Sequence, residues 1–300
     1  MSENRGMIPP RTILAAVDFS DPSRTALVLA ARLARHCGAA LHVLHAEDPL
    51  LSATARHTGI DLARETDEEL QRFITSARPA SECTPQRHVV TGGAVDVILA
   101  VADRVQAQLL VVGSRGMSGA ERLVFGSTTE GLLRRADVSV LVAPTEWTPP
   151  RPGSMDLSGA GPVVAGVDLS STSAASVKAA CELASVLHTS VEVIHAVPRL
   201  AVLDRWRAHA EAAIQASLAA ARQELESLLR GLHSPVPVTI RVEDGAVPNR
   251  LAEAAGPTRD RAPILVLGRK APGSKGGAPG TIAYRVLALA NVPVLMYVNH

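Results

Sequence analysis

The chain has 300 residues, of which 47% are hydrophobic and 20% charged, so it is long enough for two domains with buried cores. Lys and Arg together number 30 and Asp and Glu 29, and this balance argues against a global field that recruits nucleic acid or an anionic membrane. Aromatic residues make up 2% of the chain, which argues against base-stacking platforms for single-stranded nucleic acid. We therefore expect neither a nucleic-acid partner nor a membrane partner.

Cysteine and histidine usage gives no sign of a disulfide framework or a metal site. Cys37, Cys83 and Cys181 are far apart and odd in number, and they lack the Cys-x-x-Cys spacing of zinc and redox sites. The histidines are scattered, so packed or surface positions are favoured over metal ligation. The short polar N-terminus lacks the apolar core of a signal peptide, and no run approaches the ~20 apolar residues of a membrane span. A cytoplasmic location is expected.

The first half of the chain alternates between strand and helix patterns. Strands are predicted at 12–17, 40–46, 88–91, 109–112 and 139–143, and helices at 24–37, 61–77, 95–106 and 130–136. Ser20 or Asp21 is the expected cap of the first helix and Gly38 its stop, and residues 47–59 form a connector without clear periodicity. This alternation predicts a parallel, open α/β sheet that binds ligands beyond the carboxyl ends of its strands.

The same pattern occurs a second time after a Pro/Gly/Ser-rich linker at 148–161. Asp168 follows Asp18 by 150 residues, and His195 follows His45 by the same 150 residues. An internal duplication of this kind predicts two domains of one fold, at 1–147 and 162–300.

A glycine-rich loop follows the fourth predicted strand, and its features are those of an anion-binding loop. Gly113-Ser114-Arg115-Gly116 opens the loop, and Gly126-Ser127-Thr128 closes it directly before a helix. Glycine allows backbone N–H groups to approach a ligand, and a helix N-terminus favours phosphate. No Lys-Ser or Lys-Thr follows a glycine, so a P-loop is not supported. A plain glycine-rich turn, with Ser127 as a helix cap, is the alternative.

This spacing of glycines and hydroxyls closely resembles the nucleotide-binding signature of the universal stress protein family. The resemblance covers residues 11–143 and 162–298. It implies two open, mostly parallel five-stranded sheets flanked by helices, a Rossmann-like architecture of the adenine nucleotide alpha hydrolase-like type. It also implies ATP as the cofactor, alone or with Mg²⁺.

The resemblance further implies roles for residues of the first half. Asp18 resembles the acidic residue that reads adenine, although it is also suited to a turn at the helix start. Ala16 and Ala46 resemble positions whose backbone borders the base. The stretch that lies against ribose and phosphates comprises Gly113, Ser114, Arg115, Gly116, Met117 and Gly119. The phosphate grip comprises Gly126, Ser127 and Thr128, whose hydroxyl and N–H groups donate to the oxyanions.

The corresponding loop of the second half departs from the signature. Ala271 replaces the second glycine, and Pro272 and Pro279 remove N–H donors. Arg269, Lys270 and Lys275 add positive charge, so a second anion site stays open as a weaker hypothesis than a basic surface loop. Its candidate residues are Asp168, Ala196, Gly268, Arg269, Gly280 and Thr281.

No catalytic signature accompanies the nucleotide motif, since the chain lacks a Gly-x-Ser-x-Gly elbow and a His-Glu-x-x-His run. The favoured hypothesis is an ATP-binding stress-response protein that uses nucleotide as a switch of conformation or partner binding. One alternative is an interaction scaffold whose strands at 139–143 and 293–298 pair across the two halves and with another chain, giving a homodimer. Another is a slow ATPase, nucleotidyl transferase or ATP pyrophosphatase.

Overall fold

The computed structural model describes residues 8–77, 84–115, 126–145, 147, 157, 161–199, 207–257, 263–270 and 280–299. Its strands, numbered in chain order, are β1 (Thr12–Ala16), β2 (Ala40–Glu47), β3 (Gln86–Thr91), β4 (Leu109–Gly113), β5 (Ser139–Ala143), β6 (Val163–Gly166), β7 (Val191–Val197), β8 (Val238–Asp244), β9 (Leu265–Lys270) and β10 (Val294–Asn299). Its helices are α1 (Asp21–Cys37), α2 (Pro49–Thr58), α3 (Leu62–Ser76), α4 (Ala94–Arg104), α5 (Ser127–Arg135), α6 (Ser173–Val186), α7 (Arg207–Arg230), α8 (Val247–Ala254) and α9 (Thr281–Leu289).

The strands form one sheet of ten, in the order β3-β2-β1-β4-β5-β10-β9-β6-β7-β8. Each half contributes five parallel strands, so the predicted α/β class and duplication are confirmed. The two predicted five-stranded sheets are joined where β5 and β10 run antiparallel. The paired residues at this junction are Val142 with Val294, Leu141 with Leu295 and Val140 with Met296.

The junction uses both hydrogen-bonding edges of the two fifth strands. β5 lies between β4 and β10, and β10 lies between β5 and β9. The predicted pairing across the halves is therefore confirmed. Because neither strand keeps an unpaired edge, this pair offers no place for a strand of another chain.

Two apolar layers cover the faces of the sheet and run through both halves. One layer joins α1, α3 and α6 to the sheet and includes Leu141 and Leu295 from the junction. The other joins α4, α5, α8 and α9 and includes Val140 and Met296. Since alternate residues of a strand point to opposite faces, the junction strands contribute to both cores. The halves therefore share their hydrophobic cores.

Local signals explain most helix boundaries, and one helix was missed. Ser20 caps α1 by accepting from the Ser23 N–H, and Gly38 ends the helix with a φ of 61°. The predicted connector at 47–59 contains α2 instead, so that prediction was wrong. Asp48 caps α2 by accepting from the Leu50 and Leu51 N–H groups. Leu50 is 77% exposed, so α2 lacks the buried apolar stripe that periodicity detects.

One residue before the predicted linker, Trp147, and one residue within it, Leu157, pack against the first half. Trp147 and Leu157 are both buried, and the Leu157 N–H donates to Nε2 of His36 on α1 at 2.8 Å. The other residues at 148–160 lie outside the described part of the chain. No described helix is long and apolar enough to cross a membrane.

A pair of histidines lies between β2, β3 and α4. Nδ1 of His42 is 2.9 Å from Nε2 of His88, and an Arg104 nitrogen is 3.3 Å from Nδ1 of His88. Arginine has only donors, so Nδ1 of His88 accepts and its Nε2–H donates to His42. Burial, and then the charge of Arg104, lower the pKa of His42; burial, the His42 charge and the Arg104 charge lower that of His88. Both imidazoles are therefore held neutral.

We expect the histidine pair to make folding sensitive to mild acid. A lowered pKa in the folded chain means that the unfolded chain binds protons first as the pH falls below about 6.5. The contribution is thus present at neutral pH and is lost on acidification. Urea unfolding at pH 7.5 and 5.5 should show a smaller acid-induced loss of stability for His88→Gln than for the wild type. His57→Gln, on the exposed surface of α2, should behave as the wild type does. Equal acid loss in all three proteins would contradict the assignment.

Candidate functional site

A cleft of about 210 Å³ opens at the carboxyl ends of the strands of the first half. It lies where the strand order reverses between β1 and β4, which is the general ligand position of open α/β sheets. The predicted site residues that line it are Ala16, Asp18, Ala46, Gly113, Arg115, Gly126, Ser127 and Thr128. The structure thus brings residues from three strand ends and one helix start to a single cleft.

Some lining residues were not predicted, and some predicted residues are not in the described lining. Ser23, Ala94, Ile98 and Thr129 also line the cleft. Ala94 and Ile98 belong to α4, whose start after the Gly92-Gly93 turn was the available sequence signal. Ser114 is not one of the described lining residues; its N–H donates to the Ala143 carbonyl at 2.8 Å. Gly116, Met117 and Gly119 lie outside the described residues.

Asp18 is held at the base of α1 by a short loop. Oδ1 of Asp18 accepts from the Ser20 hydroxyl at 2.5 Å and from the Ser20 N–H at 3.2 Å. The Asp18 N–H donates to Oγ of Ser23 at 3.3 Å. These bonds tie the carboxylate to the first turn of α1, so its orientation in the cleft is set by the helix start.

The loop that carries Asp18 contains a residue with an unusual backbone conformation. Phe19 has a φ of 66°, a region that costs a bulky residue roughly 1–3 kcal/mol. The Phe19 ring stacks on His45 with a centroid distance of 4.3 Å. Nδ1 of His45 lies 3.0 Å from the Val17 carbonyl, to which it donates because a carbonyl only accepts. His45 therefore holds the loop from both sides of Asp18.

Gly113 is required by the packing of α1 and β4. A Cβ on Gly113 would lie 2.8 Å from the backbone carbon and 2.9 Å from the carbonyl oxygen of Pro22. The Gly113 carbonyl accepts from the buried Thr129 hydroxyl at 2.7 Å, which fixes the first turn of α5 to β4. The sequence motif was explained by close approach of backbone to ligand; the structure adds close approach of helix to strand.

The first turn of α5 presents backbone N–H groups to the cleft. Ser127, Thr128 and Thr129 occupy that turn and all line the cleft. The Glu130 N–H donates to the Gly126 carbonyl, so the three preceding N–H groups have no acceptor within the helix. The N–H of Gly126 donates to the Ser114 carbonyl at 3.1 Å. The Gly126 N–H therefore closes the loop, and the phosphate-binding role of this turn stays a prediction.

The end of the first strand of the second half packs against two leucines. Sheet register places Gly166 and Leu267 where the first half has Ala16 and Val112. A Cβ on Gly166 would lie 2.7 Å from Cδ2 of Leu267 and 3.1 Å from Cδ2 of Leu251. Both leucines are buried. The leucines therefore lie where the first half has the methyl group of Ala16.

The residues predicted for a second site are described in part. Asp168 accepts from Ser170 and Ser173; burial raises its pKa, and these hydrogen bonds lower it to a net value below the usual range. Ala196 is buried, and Gly280 and Thr281 begin α9. The Arg269 guanidinium donates to two carbonyls of the first half. Residues 271–279, with Lys275, lie outside the described chain, as does the side chain of Lys270.

Among the described residues, no group of three or more His, Cys, Asp or Glu side chains is arranged to hold a metal ion.

Comparison with known proteins gives the same organisation. The sequence model of the universal stress protein family matches residues 10–144 and 160–297. Universal stress protein YxiE of Bacillus subtilis is 30% identical over an alignment of 142 positions, which covers 43% of this chain and 96% of YxiE. Universal stress protein Rv1996 of Mycobacterium tuberculosis is 27% identical over an alignment of 211 positions, which covers 64% of each chain.

A solved structure shares the fold over nearly the whole chain. The crystal structure of a universal stress protein from Archaeoglobus fulgidus is 16% identical, has a TM-score of 0.65, and covers 97% of this chain and 99% of its own. At this identity the likeness concerns the fold.

We expect Gly113→Ala to destabilise the whole fold. The added methyl group meets the Pro22 backbone, which belongs to a helix start and cannot move independently, so the loss should be about 1–3 kcal/mol. Gly280→Ala is the matched control, because a Cβ there meets no heavy atom within 4 Å. Urea unfolding should show a loss below about 0.5 kcal/mol for the control. A Gly113→Ala protein as stable as the wild type would contradict the packing account.

Proposed function

The chain belongs to the universal stress protein family, and we propose that its first half is an adenine-nucleotide-binding module that holds ATP. The observation that supports this most directly is the convergence of the Asp18 carboxylate and the α5 N–H groups on one cleft. A carboxylate recognises the exocyclic amine of a base, and a helix N-terminus recognises phosphate. The cleft therefore provides complementary groups for both ends of an adenosine phosphate.

We assign the base to the β1–β2 side of the cleft and the phosphates to the α5 side. Ala16 and Ala46 line the first side, and their small side chains leave room for a ring. Ser127 and Thr128 on the other side offer hydroxyls next to the N–H groups. The helix dipole of α5 adds positive potential where the phosphates would lie. Arg115 lines the same cleft and adds a cation.

The cleft suits binding better than chemistry. Among its described lining residues, Asp18 carries the one carboxylate, and this group is bonded to Ser20 at the proposed base end. Glu130 pairs with Arg134 along α5 at 3.3 Å. Mg²⁺ would thus be held chiefly by the nucleotide phosphates and nearby hydroxyls. We propose that the bound nucleotide biases a conformation or a partner surface, in keeping with a cytoplasmic regulatory role.

We further propose one nucleotide per chain. Domain boundaries at 1–147, 148–161 and 162–300 separate a half with an open cleft from a half whose loop departs from the signature at Ala271, Pro272 and Pro279. A nucleotide-independent scaffold is the second candidate, and the paired β5 and β10 support the part of it that concerns the two halves. A homodimer would then use a surface other than the fifth strands.

We expect isothermal titration calorimetry with ATP to give one site per chain. We expect Ser127→Pro to weaken the binding of ATP at this site. Ser127 is the first residue of α5, a position at which helices tolerate proline, and Gly126 before it is extended, as a residue before proline prefers. The substitution removes one N–H and one hydroxyl, and a charge-assisted hydrogen bond is worth about 1.5–3 kcal/mol, so affinity should fall at least about tenfold. Ser127→Ala, which removes only the hydroxyl, should have a smaller effect.

Thr281→Pro is the matched control, since Thr281 is the first residue of α9 and follows a glycine with the same extended conformation. It should bind ATP as the wild type does, with the same thermal stability as Ser127→Pro. Unchanged ATP affinity in Ser127→Pro, or two sites of equal affinity per chain, would refute the proposed site. A slow ATPase would instead show turnover that Ser127→Pro abolishes.

A further inference from the structure

A buried arginine of the second half reaches the end of α5 in the first half. Arg269 lies on β9 and is 4% exposed. Its Nη2 donates to the Ala136 carbonyl at 2.6 Å and to the Val138 carbonyl at 2.9 Å. Ala136 is the C-cap of α5, and Val138 precedes β5. The guanidinium thus crosses the boundary between the halves and contacts the helix whose other end lines the cleft.

Arg269 carries a buried positive charge at this contact. Burial lowers its pKa to about 10, which leaves the group protonated at neutral pH. Its Nε and Nη1 are buried without a hydrogen-bond partner, so the two carbonyls are the hydrogen-bond acceptors recorded for the guanidinium. A cation at a helix C-terminus is stabilised by the negative end of the helix dipole. Displacing the end of α5 would therefore leave a buried cation poorly compensated.

α5 is a short helix that is held at both of its ends. α5 has nine residues, which corresponds to about 13 Å. The Thr129 hydroxyl holds its first turn to Gly113, and Arg269 holds its last turn. A phosphate at the first turn and a guanidinium beyond the last turn both favour the same direction of the helix dipole.

We propose that Arg269 is a positioning residue for the phosphate end of the nucleotide site, acting across the boundary between the halves through α5. The inference rests on the proposed function. It also gives a role to the altered loop of the second half. Arg269 directly follows Gly268, as Ser114 follows Gly113, but its guanidinium donates to a carbonyl of the other half. The contact is one-sided, because Ser114 has a short side chain whose hydroxyl lies 3.4 Å from that of Thr145 in its own half.

The test compares ATP with adenosine in the full-length chain. Arg269→Met removes the charge and keeps the length of the side chain, and calorimetry should show ATP binding about fivefold weaker. Adenosine binding should change less than about twofold, because the proposed base end does not involve α5. Arg269→Lys keeps a cation with fewer donors and should restore part of the ATP affinity.

Ser139→Ala is the matched control. The buried Ser139 hydroxyl accepts from the Val298 N–H at 3.2 Å, so this variant also removes a hydrogen bond between the halves, but not one to α5. It should leave both affinities unchanged at a comparable loss of thermal stability. Hydrogen exchange without ligand should show faster exchange at the hydrogen-bonded amides 130–135 of α5 in Arg269→Met than in Ser139→Ala. The same comparison can be made with Arg269→Lys where the Met variant folds poorly.

The outcomes separate the two proposals. Wild-type protein that binds neither ATP nor adenosine removes the proposed function and this inference with it. Wild-type protein that binds both, while the Arg269 variants bind ATP as tightly as the wild type, overturns the inference alone. Equal losses for ATP and adenosine, matched by Ser139→Ala, would show that Arg269 contributes only to the stability of the boundary.

Discussion

The antiparallel pairing of β5 with β10 is the contact on which the rest of the structure depends. It turns two parallel five-stranded halves into one sheet and places apolar residues of both strands in both core layers. A parallel sheet needs helices on both faces, and here the covering layers continue from one half to the other. The halves are consequently one packed unit, and a side chain such as Arg269 can contribute to the neighbouring half.

The two halves carry different residues at the carboxyl ends of their first strands. The carboxyl ends of β1 and β4 leave an open cleft, because Ala16 is small and the side chains of Ile98 and Val112 stand at its wall. In the second half, Leu251 and Leu267 close over Gly166. Equivalent positions of the two halves thus carry different side chains, while the backbone topology of the two halves stays the same.

The phosphate end of the site follows from the way α5 begins. Because α5 starts directly after Gly126, no side chain caps it, and its first N–H groups are not bonded within the helix. The residues that carry these N–H groups line the cleft of the first half. Binding of an anion there would replace the missing cap, which is why α5 is the natural element to report occupancy to the second half.

Sequence patterns predicted the elements that bury apolar runs and the stops that need glycine. β4 and β5 were recognisable because every residue is apolar or small and buried, and Gly38 because it needs a positive φ. α2 was not predicted because its leucines face solvent and give no amphipathic periodicity. The helix-start signal of Asp48-Pro49 is weaker than such periodicity. The role of Gly113 against Pro22 and the reach of Arg269 were beyond a sequence reading, since both depend on contacts between distant segments.

The central claim is that adenosine phosphates bind in the first half, with phosphates at the start of α5. Amide nitrogen–proton NMR spectra recorded with ATP and with adenosine test it most directly. The signals of Asp18 and Ala46 should shift with both ligands, those of Ser127, Thr128 and Thr129 with ATP, and that of Thr281 with neither. Shifts at Thr281 equal to those at Ser127, or ATP shifts that leave the α5 amides unmoved, would contradict the account.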